Sequence, residues 1–585
     1  MQNNANQFNI KADNISLSGR RWQRRPDPSP TVFGKLKSEF QTNEILLDLL
    51  ARRGVTGLQE AYNFFLPTLD ALHSPSLLKD IDLALTRIHQ SIILNETIVV
   101  YGDYDVDGTT AVALMYSFLI NIHDKVVYYI PDRFTEGYGI TKEGINAAKE
   151  LNAKLIISLD CGIKSNQQID YANGLGIDFI IGDHHTVGDE LPNAIAVLNP
   201  KRPDCEYPYK ELSGCGISYK LAEAYAEKYN IRFDPAKYLD LVAISVAADL
   251  VPMTGENRIM SYHGLQLINN NPRPGIKALI ELSKIKHKID VSDLVFRIGP
   301  RINAAGRVSS GKLAVQMLVE ESLENAIEIA ETINQKNTDR QNVDQTTTRH
   351  ALAIMKEYDL VAKKSIVLYQ EDWHQGVIGI VASRLIEKYH RPTVLLTRSN
   401  GHAIGSARAI PGFDMYAALQ QVEGLLEQWG GHKAAAGLTL KLENISEFEL
   451  QFEKVVSESI NTDILTPLSE YDLEISLTDI TLGFAKNIVR FGPFGPDNPK
   501  PTFVIKRLSC YDKPQIISGK HTRCTVVDEQ GNLTRIIGYG LSNISEHIYD
   551  NIFDICFTVE LNEHRGMFMP LISVKDFRLH QIQTI

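Results

Sequence analysis

Cysteine is scarce in this 585-residue chain: six, at Cys161, Cys205, Cys215, Cys510, Cys524 and Cys556, none in a close CxxC pair. That spacing argues against a zinc ribbon and a disulfide framework, and fits reduced, mostly buried thiols. No apolar run approaches the roughly eighteen residues of a membrane-spanning helix, so no membrane partner is expected. The N-terminal stretch has no apolar secretory core, which makes a cytoplasmic location the expectation. Internal repeats and low-complexity tracts are missing as well. So is an excess of positive charge: 60 Lys and Arg stand against 71 Asp and Glu, a formal net charge of −11. A general nucleic-acid coat protein would be basic. A nucleic-acid enzyme is not excluded, since two divalent ions in a carboxylate cage would cancel about four of those charges. Its phosphate contacts must then come from local Arg and Lys groups.

What is present is ordinary globular composition, 44% hydrophobic and 22% charged, over a length that calls for more than one domain. One stretch organises the rest. Ile98, Val99 and Val100 read as a buried strand that Gly102 ends, and Asp103, Asp105 and Asp107 follow at alternate positions. Gly108 opens an apolar helix from Ala111 to Ile120. The acids therefore sit where a strand hands over to a helix, the usual ligand position in an α/β sheet. Holding three such acids ionised together is costly unless cations neutralise them, and hard divalent ions take carboxylate oxygens. A solvated acidic turn is the alternative for this stretch alone.

The flanking sequence bears on that choice. Residues 1–45 look weakly structured, with the basic cluster Arg20–Arg25 followed by Pro26, Pro28 and Pro30. Glu44–Arg53 and Leu58–Phe65 read as short helices and Leu77–Leu94 as an amphipathic one. A βα alternation then sets in. Strands at 126–130, 155–159 and 179–181 alternate with helices at 141–151 and 165–175, which means a parallel sheet covered on both faces. Three strands end at one edge in acid or imidazole: Asp105 and Asp107; Asp160; Asp183, His184 and His185. Convergence of three such ends marks a site. Asp249 directly follows the apolar helix Tyr238–Val246, a costly place for an unpaired charge; a metal would justify it, and so would a structural ion pair. Phe296–Arg307 packs three arginines among small residues, which suits phosphate recognition or a salt-bridged turn. Lys312 to about Tyr358 reads as one long, largely exposed helix joining two lobes.

A second α/β lobe follows. Its strand 401–408 ends in Ser406 and Arg408, and Trp429–Gly437 reads as a glycine-rich turn carrying His432, features that suit an anion. A lone histidine is more often structural. From about Leu465 the texture changes to short alternating runs at 471–477, 502–508, 523–527, 535–539 and 555–560, as in a small oligonucleotide-binding β-barrel. Lys500, Lys506, Arg507, Lys520, His521 and Arg523 could supply its electrostatics. Phe503 and Tyr511 could stack on bases or belong to the core.

With these residues in view, the chain resembles the DHH phosphoesterase family, and within it the bacterial single-strand-specific 5′→3′ exonucleases. Asp183-His184-His185 matches the tripeptide that names the family. Asp103–Gly108 matches its first motif, Asp160-Cys161-Gly162 the second, and Ala248-Asp249 with Val251-Pro252 the fourth. Gly430-Gly431-His432 with Ala434–Gly437 matches the DHHA1 motif of the second lobe. Arg297–Arg307 and Phe494–Pro499 match the exonuclease branch in particular. The resemblance implies a parallel-sheet DHH lobe at 46–310, a connecting helix at 311–358, a smaller α/β DHHA1 lobe at 359–464 and an OB-like barrel at 465–585. It implies two divalent cations, Mn2+ or Mg2+, on Asp105, Asp107, Asp160, His184 and Asp249, with His185 near the scissile phosphate and Asp103 and Asp183 in support. Ser406 and Arg408 would read the 5′ end, and Arg301, Arg307, Arg384 and His432 are further phosphate candidates. Single-stranded DNA is the implied substrate, with single-strand-binding protein and a helicase as partners. The chain departs from smaller relatives at Tyr101, where they carry a histidine, which argues against a pyrophosphatase-like centre. Alternatives are a phosphodiesterase for short RNA or cyclic dinucleotides, against which the last 120 or so residues count, and a non-catalytic replication scaffold, against which the full set of carboxylates counts.

Overall fold

The computed structural model of the protein describes residues 15–580 except Phe134, Tyr138, Phe233, Ser309, Ser310 and Arg565, and without the side chains of Pro235, Arg307, Val308 and His564. It falls into two compact units. One comprises Tyr62–Arg340 and Gly492–Pro499; the other comprises Met1–Ala61, Gln341–Phe491 and Lys500–Ile585.

The first of these units is built on a five-stranded parallel sheet, in the order Val126–Tyr129, Thr97–Gly102, Ala153–Leu159, Asp178–Gly182, Ala196–Leu198. Near-continuous apolar strands demand cover on both faces. Ile98, Val100, Leu155, Ile157 and Ile180 pack with the helix Val106–Leu119, while Val99, Tyr101, Ile156, Phe179 and Ile181 pack on the other side with Ile145 and Ile169. Chain order reverses at the Thr97 strand, which has the second strand on one side and the third on the other. In such sheets ligands bind beyond the carboxyl ends at this reversal. Gly102, Leu159, Gly182 and Leu198 lie in one register row. The residues that follow them, Asp103, Asp160, Asp183 and Asn199, are therefore delivered to one edge.

The other unit contains three sheets of its own, the smallest a two-stranded pair. Ile366–Tyr369, Thr393–Ser399, His402–Arg408, Ala435–Lys441 and Gln428–Gly431 form a mixed sheet in that spatial order. Seven strands after residue 472 form a barrel, closed where Ser509 and Cys510 of the strand Thr502–Cys510 pair with Val527 and Val526. Closure removes edges that would otherwise remain open to other chains.

Several expectations need correction. The stretch before residue 45 is not weakly structured where it is described: Arg21–Arg24 pairs in parallel with Leu468–Tyr471, and Pro30–Glu39 is a helix. The cause is Trp22, which packs with Val504 and Cys556 and donates from Nε1 to buried Asp576 at 3.0 Å. The single helix expected from Lys312 is two, Lys312–Val319 and Leu323–Ile354. The glycine-rich turn is a hairpin, with Gly430 and Gly431 inside its first strand. The barrel's longest strand, Met567–Leu579, went unread because Pro570 and the charges of Lys575, Asp576 and Arg578 interrupt its apolar alternation. Residues 46–61 belong with the unit that holds the second lobe and the barrel, and Gly492–Pro499 with the first-lobe unit.

Trp22→Ala should destabilise the barrel by about 3–5 kcal/mol, the usual range for truncating a buried Trp. It also leaves the Asp576 carboxylate short of a donor. Trp22→Phe should cost less. Urea unfolding followed by amide exchange of the barrel strands measures both; an unchanged midpoint for Trp22→Ala would make this segment a mere appendage.

Candidate metal centre and phosphate-binding residues

Each acid at the sheet edge is held differently. Asp105 is the N-cap of the helix Val106–Leu119, its Oδ1 accepting from the Gly108 amide at 3.0 Å. Asp107, the second residue of the same helix, accepts from the amides of Gly214 at 2.7 Å and Cys215 at 2.8 Å, and from the Ser245 hydroxyl at 2.7 Å. Those amides open the helix Gly214–Lys228, capped by Ser213, so the positive end of a helix dipole faces Asp107. Only glycine fits at 214, because a Cβ there would lie 2.7 Å from the Asp160 Cβ. Asp160 leaves its strand in a left-handed conformation, φ 60°, which turns its buried side chain back over the sheet edge. Asp249 caps the C-terminus of Leu239–Ala248, where the helix dipole opposes its charge.

His184 stands at the centre. Its Nε2 lies 3.1 Å from Asp160 Oδ1, 3.5 Å from Asp249 Oδ2 and 3.6 Å from Asp107 Oδ2. The ring is buried, neither nitrogen has a hydrogen-bond partner, and burial pushes its pKa below the ordinary value. A neutral imidazole nitrogen thus converges with three carboxylate oxygens. His185 behaves oppositely. Its Nδ1 donates to Asp183 Oδ1 at 2.7 Å. Burial alone would lower its pKa, but the hydrogen bond and charge of Asp183, joined by Asp249 and Asp107, push it up to about 9. Burial would likewise raise Asp183, yet His185 and the Ile163 amide hold it below the ordinary value.

The remaining acids lack such support. Burial, and then the neighbouring carboxylates, push Asp103, Asp105 and Asp160 upward and Asp249 up to about 8. Neither oxygen of buried Asp103 has a hydrogen-bond partner of good geometry. Carboxylates that resist ionising together, around an unpartnered neutral imidazole, fit a hard divalent cation. The ligand atoms of Asp107, His184 and Asp249 lie within 4.8 Å of one another, as do those of Asp160, His184 and His185. Asp105 is in hydrogen-bond reach of Asp160.

Tyr101 is closed off from this cage. Its hydroxyl donates to Gly139 O at 3.0 Å, and its ring stacks on Tyr129 in the core. Arg301 Nε donates to Asn334 Oδ1 at 3.0 Å, and Arg307 lies outside the described side chains. In the other unit, Arg408 Nη1 donates to Ser406 Oγ at 2.9 Å, and both face Gly379 in the first turns of the helix Gln375–Tyr389. Arg408 pairs in register with Ala435, just past the turn that carries exposed His432. Arg384 is held by buried Asp344 at 2.7 Å. On the barrel, Lys500, Lys506 and Arg507 pair with Glu560, Glu474 and Glu529, and Phe503 is fully buried in the core. Tyr511 is 67% exposed. Sequence reasoning missed the Gly214 and Cys215 amides and Ser245. It also missed Asn199, whose Nδ2 holds His185 O at 2.9 Å. Ser213 ahead of Gly-Cys-Gly is a helix-start signal that could have pointed to the first pair.

The Asp249 shift fixes a sign. Its folded pKa of about 8 exceeds the ordinary 3.8, so the stability tied to its protonated form is complete below about pH 4 and lost as pH rises to about 8. A cation bound through this carboxylate would have to displace that proton. Apparent Mn2+ affinity should therefore rise between about pH 6 and 8, up to about tenfold per unit for each proton displaced, and then level off. Mn2+ titrations across this range, beside thermal unfolding of the metal-free protein, test it; a pH-independent affinity would contradict the protonated state of the cage.

Comparison with known proteins gives this geometry its lineage. The DHH family N-terminal domain matches residues 97–246, the DHHA1 domain residues 362–458 and the RecJ OB domain residues 471–576. The chain is 34% identical over 573 residues to the single-stranded-DNA-specific exonuclease RecJ of Bacillus subtilis, spanning 97% of this chain and 72% of that one. To RecJ of Salmonella typhimurium it is 33% identical over 557 residues, 91% and 95% of the two chains. The structure of Thermus thermophilus RecJ in complex with Mn2+ shares the fold, with a TM-score of 0.81 at 23% identity, over 96% of this chain and 80% of that one. With three domains matched in order and a third of the residues identical over nearly its whole length, the chain belongs to the RecJ family.

Proposed function

We propose that the protein is a metal-dependent exonuclease that hydrolyses single-stranded DNA from the 5′ end and releases mononucleotides. The observation that carries this reading is His184 Nε2 held between 3.1 and 3.6 Å from oxygens of Asp160, Asp249 and Asp107. The single-strand-specific exonuclease activity of the relatives supports it, as does the Mn2+ in the Thermus structure. Asp105, Asp107, Asp160, His184 and Asp249 hold two divalent cations, Mn2+ or Mg2+. Bound there, the cations lower the pKa of water and neutralise charge that builds on the phosphate.

The chain's own groups do the rest. Asp183 fixes the His185 ring through Nδ1, which leaves Nε2 of the protonated imidazole to donate to a phosphate oxygen. The amides of Gly214 and Cys215 hold Asp107 so that its charge stays in the cage. Asp103 backs the cage from beneath. Ser406 and Arg408 offer a hydroxyl and a guanidinium to the 5′ end, and Arg301, Arg307, Arg384 and His432 add charge or donors along the strand. The barrel at 465–585 grips the strand on its 3′ side, before it reaches the metals, with exposed Tyr511 as a stacking surface. Among the described residues no helix is long and apolar enough to cross a membrane. We place the protein in the cytoplasm, a setting that its scattered, unpaired thiols fit. Single-strand-binding protein and a helicase are the fitting partners, because duplexes must be opened first.

The direct experiment is product analysis on 5′- and 3′-labelled oligonucleotides, single and double stranded, with Mn2+ or Mg2+. Mononucleotides released from the 5′ end of single strands are expected; cleavage confined to dinucleotides or cyclic dinucleotides would favour the phosphodiesterase reading.

Two variants sharpen it. Asp160→Ala should lower turnover about a thousandfold or more, as loss of a cage carboxylate removes several kcal/mol of charge stabilisation. The metal-free variant should melt no lower than the parent, because one repelling acid is gone. Near-normal turnover at saturating Mn2+ would sink the ligand assignment. Arg408→Ala should weaken end recognition by roughly 1.5–3 kcal/mol, the worth of a charge-assisted hydrogen bond. Selectivity for 5′-phosphorylated over 5′-hydroxyl ends should shrink accordingly; an unchanged ratio would remove Arg408 from end reading.

A further inference from the structure

Phe296 is 75% exposed, in the middle of the π-helical turn Leu294–Ile298 whose end residues, Leu294 and Ile298, are fully buried. A single exposed apolar side chain is ordinary. What distinguishes Phe296 is its place. Gly299 Nα closes the π turn on Leu294 O, and a Cβ on Gly299 would lie 3.5 Å from Ala248, the neighbour of Asp249. The same Cβ would lie 3.9 Å from Val106, between Asp105 and Asp107. Further along, a Cβ on Gly306 would meet the carbonyl of Tyr104, between Asp103 and Asp105, at 2.5 Å. At Gly299 and Gly306 the segment that carries Phe296 thus packs closely against Ala248, Val106 and Tyr104, the residues that adjoin four of the acids, Asp249, Asp105, Asp107 and Asp103. π turns recur at functional positions in helices.

Charge points the same way. Arg297, 45% exposed and paired with Asp293 Oδ1 at 3.5 Å, adjoins Phe296 in sequence, and Arg301 is one turn further on, its Nη1 donating to Arg297 O at 2.6 Å. Burial, and then repulsion from Arg297 and Arg340, lower the pKa of Arg301, so three guanidiniums share one neighbourhood. An exposed aromatic ring on the segment that also carries Arg297 and Arg301 and packs at Gly299 against Ala248 and Val106 has the two elements that single-stranded nucleic acid engages: a flat face for a base and cations for the backbone.

We propose that Phe296 stacks on an unpaired nucleobase of the bound strand while Arg297 and Arg301 take the flanking phosphates. This rests on the single-strand exonuclease reading and adds a base platform to it. A base inside a duplex already has both faces covered, so the platform favours single strands. Because every base has a π face, it does so with little sequence preference.

The test uses the Mn2+-loaded, full-length protein on single strands carrying one abasic position, scanned from the 5′ end. For the parent, one abasic position should raise KM about tenfold. Phe296→Ala should raise KM about tenfold on the intact strand, with kcat changed much less, and should lose the response at that position. Phe296→Trp should restore both. The proposal is overturned if Phe296→Ala keeps the parent's KM, or if its KM rises while the abasic response persists, which is the mark of a structural role. Should Phe296→Ala fail to fold, the parent still decides: a flat abasic scan overturns the platform. A parent that degrades no single strand at all overturns the exonuclease reading beneath it, a result distinct from a flat scan on an active enzyme.

Discussion

The structure depends on how many carboxylates can be kept together out of water. Six of them, at 103, 105, 107, 160, 183 and 249, gather at one sheet edge, and the surrounding fold supplies a full set of donors to only some of them. Asp107 receives two amides and a hydroxyl at a helix N-terminus, and Asp183 receives its histidine and two amides. The others are left with raised pKa values and few donors. Buried charge without a partner is among the most costly features a fold can hold. A protein that keeps several has a standing demand for cations, and that demand is what the site uses. Binding and chemistry are coupled here by electrostatics before any substrate arrives.

Much of this was legible in the sequence because the sheet is parallel. Buried strands read as apolar runs, helices as periodic ones, and the acids fall where one gives way to the other. That alone placed Asp103, Asp105, Asp107, Asp160, Asp183, His184 and His185 at one edge, and the structure brings them there. Asp249 was readable from the chain's pattern only as an oddity, a charge at the wrong end of a helix; it was the family resemblance that set it with His184. What stayed illegible is tertiary. Nothing near Asp107 in the chain announces that its donors lie at 214, 215 and 245. Trp22 looks like a solvated residue until the barrel strand that buries it is in place. Phe503 and Tyr511 were equivalent candidates by type; burial separates them, one fully in the core and the other in solvent. The basic residues at 500, 506 and 507 looked free because their acidic partners lie up to 60 residues away.

The Gly492–Pro499 loop extends the same lesson to the cage. It leaves the chain between the helix Leu482–Arg490 and the barrel strand Thr502–Cys510, yet belongs to the compact unit of the parallel sheet. The Met253 amide donates to Pro496 O at 2.7 Å, and Arg258 Nη2 donates to Gly492 O at 2.8 Å. Asn498 Nδ2 ties the loop to itself at Pro493 O, 2.8 Å away. These contacts fall on the residues that follow Asp249, where Leu250 takes a left-handed turn at φ 57°. Tyr209 and Asn257 hold the next carbonyl, Pro252 O, from the other side. A carboxylate at the frayed end of a helix, with the dipole against it, would otherwise be poorly fixed. Here its exit path is pinned from two directions, one of them about 240 residues away in sequence. The cage of the first lobe is therefore not complete in the residues of the first lobe, and a truncation before residue 492 removes part of what orients Asp249 along with the barrel.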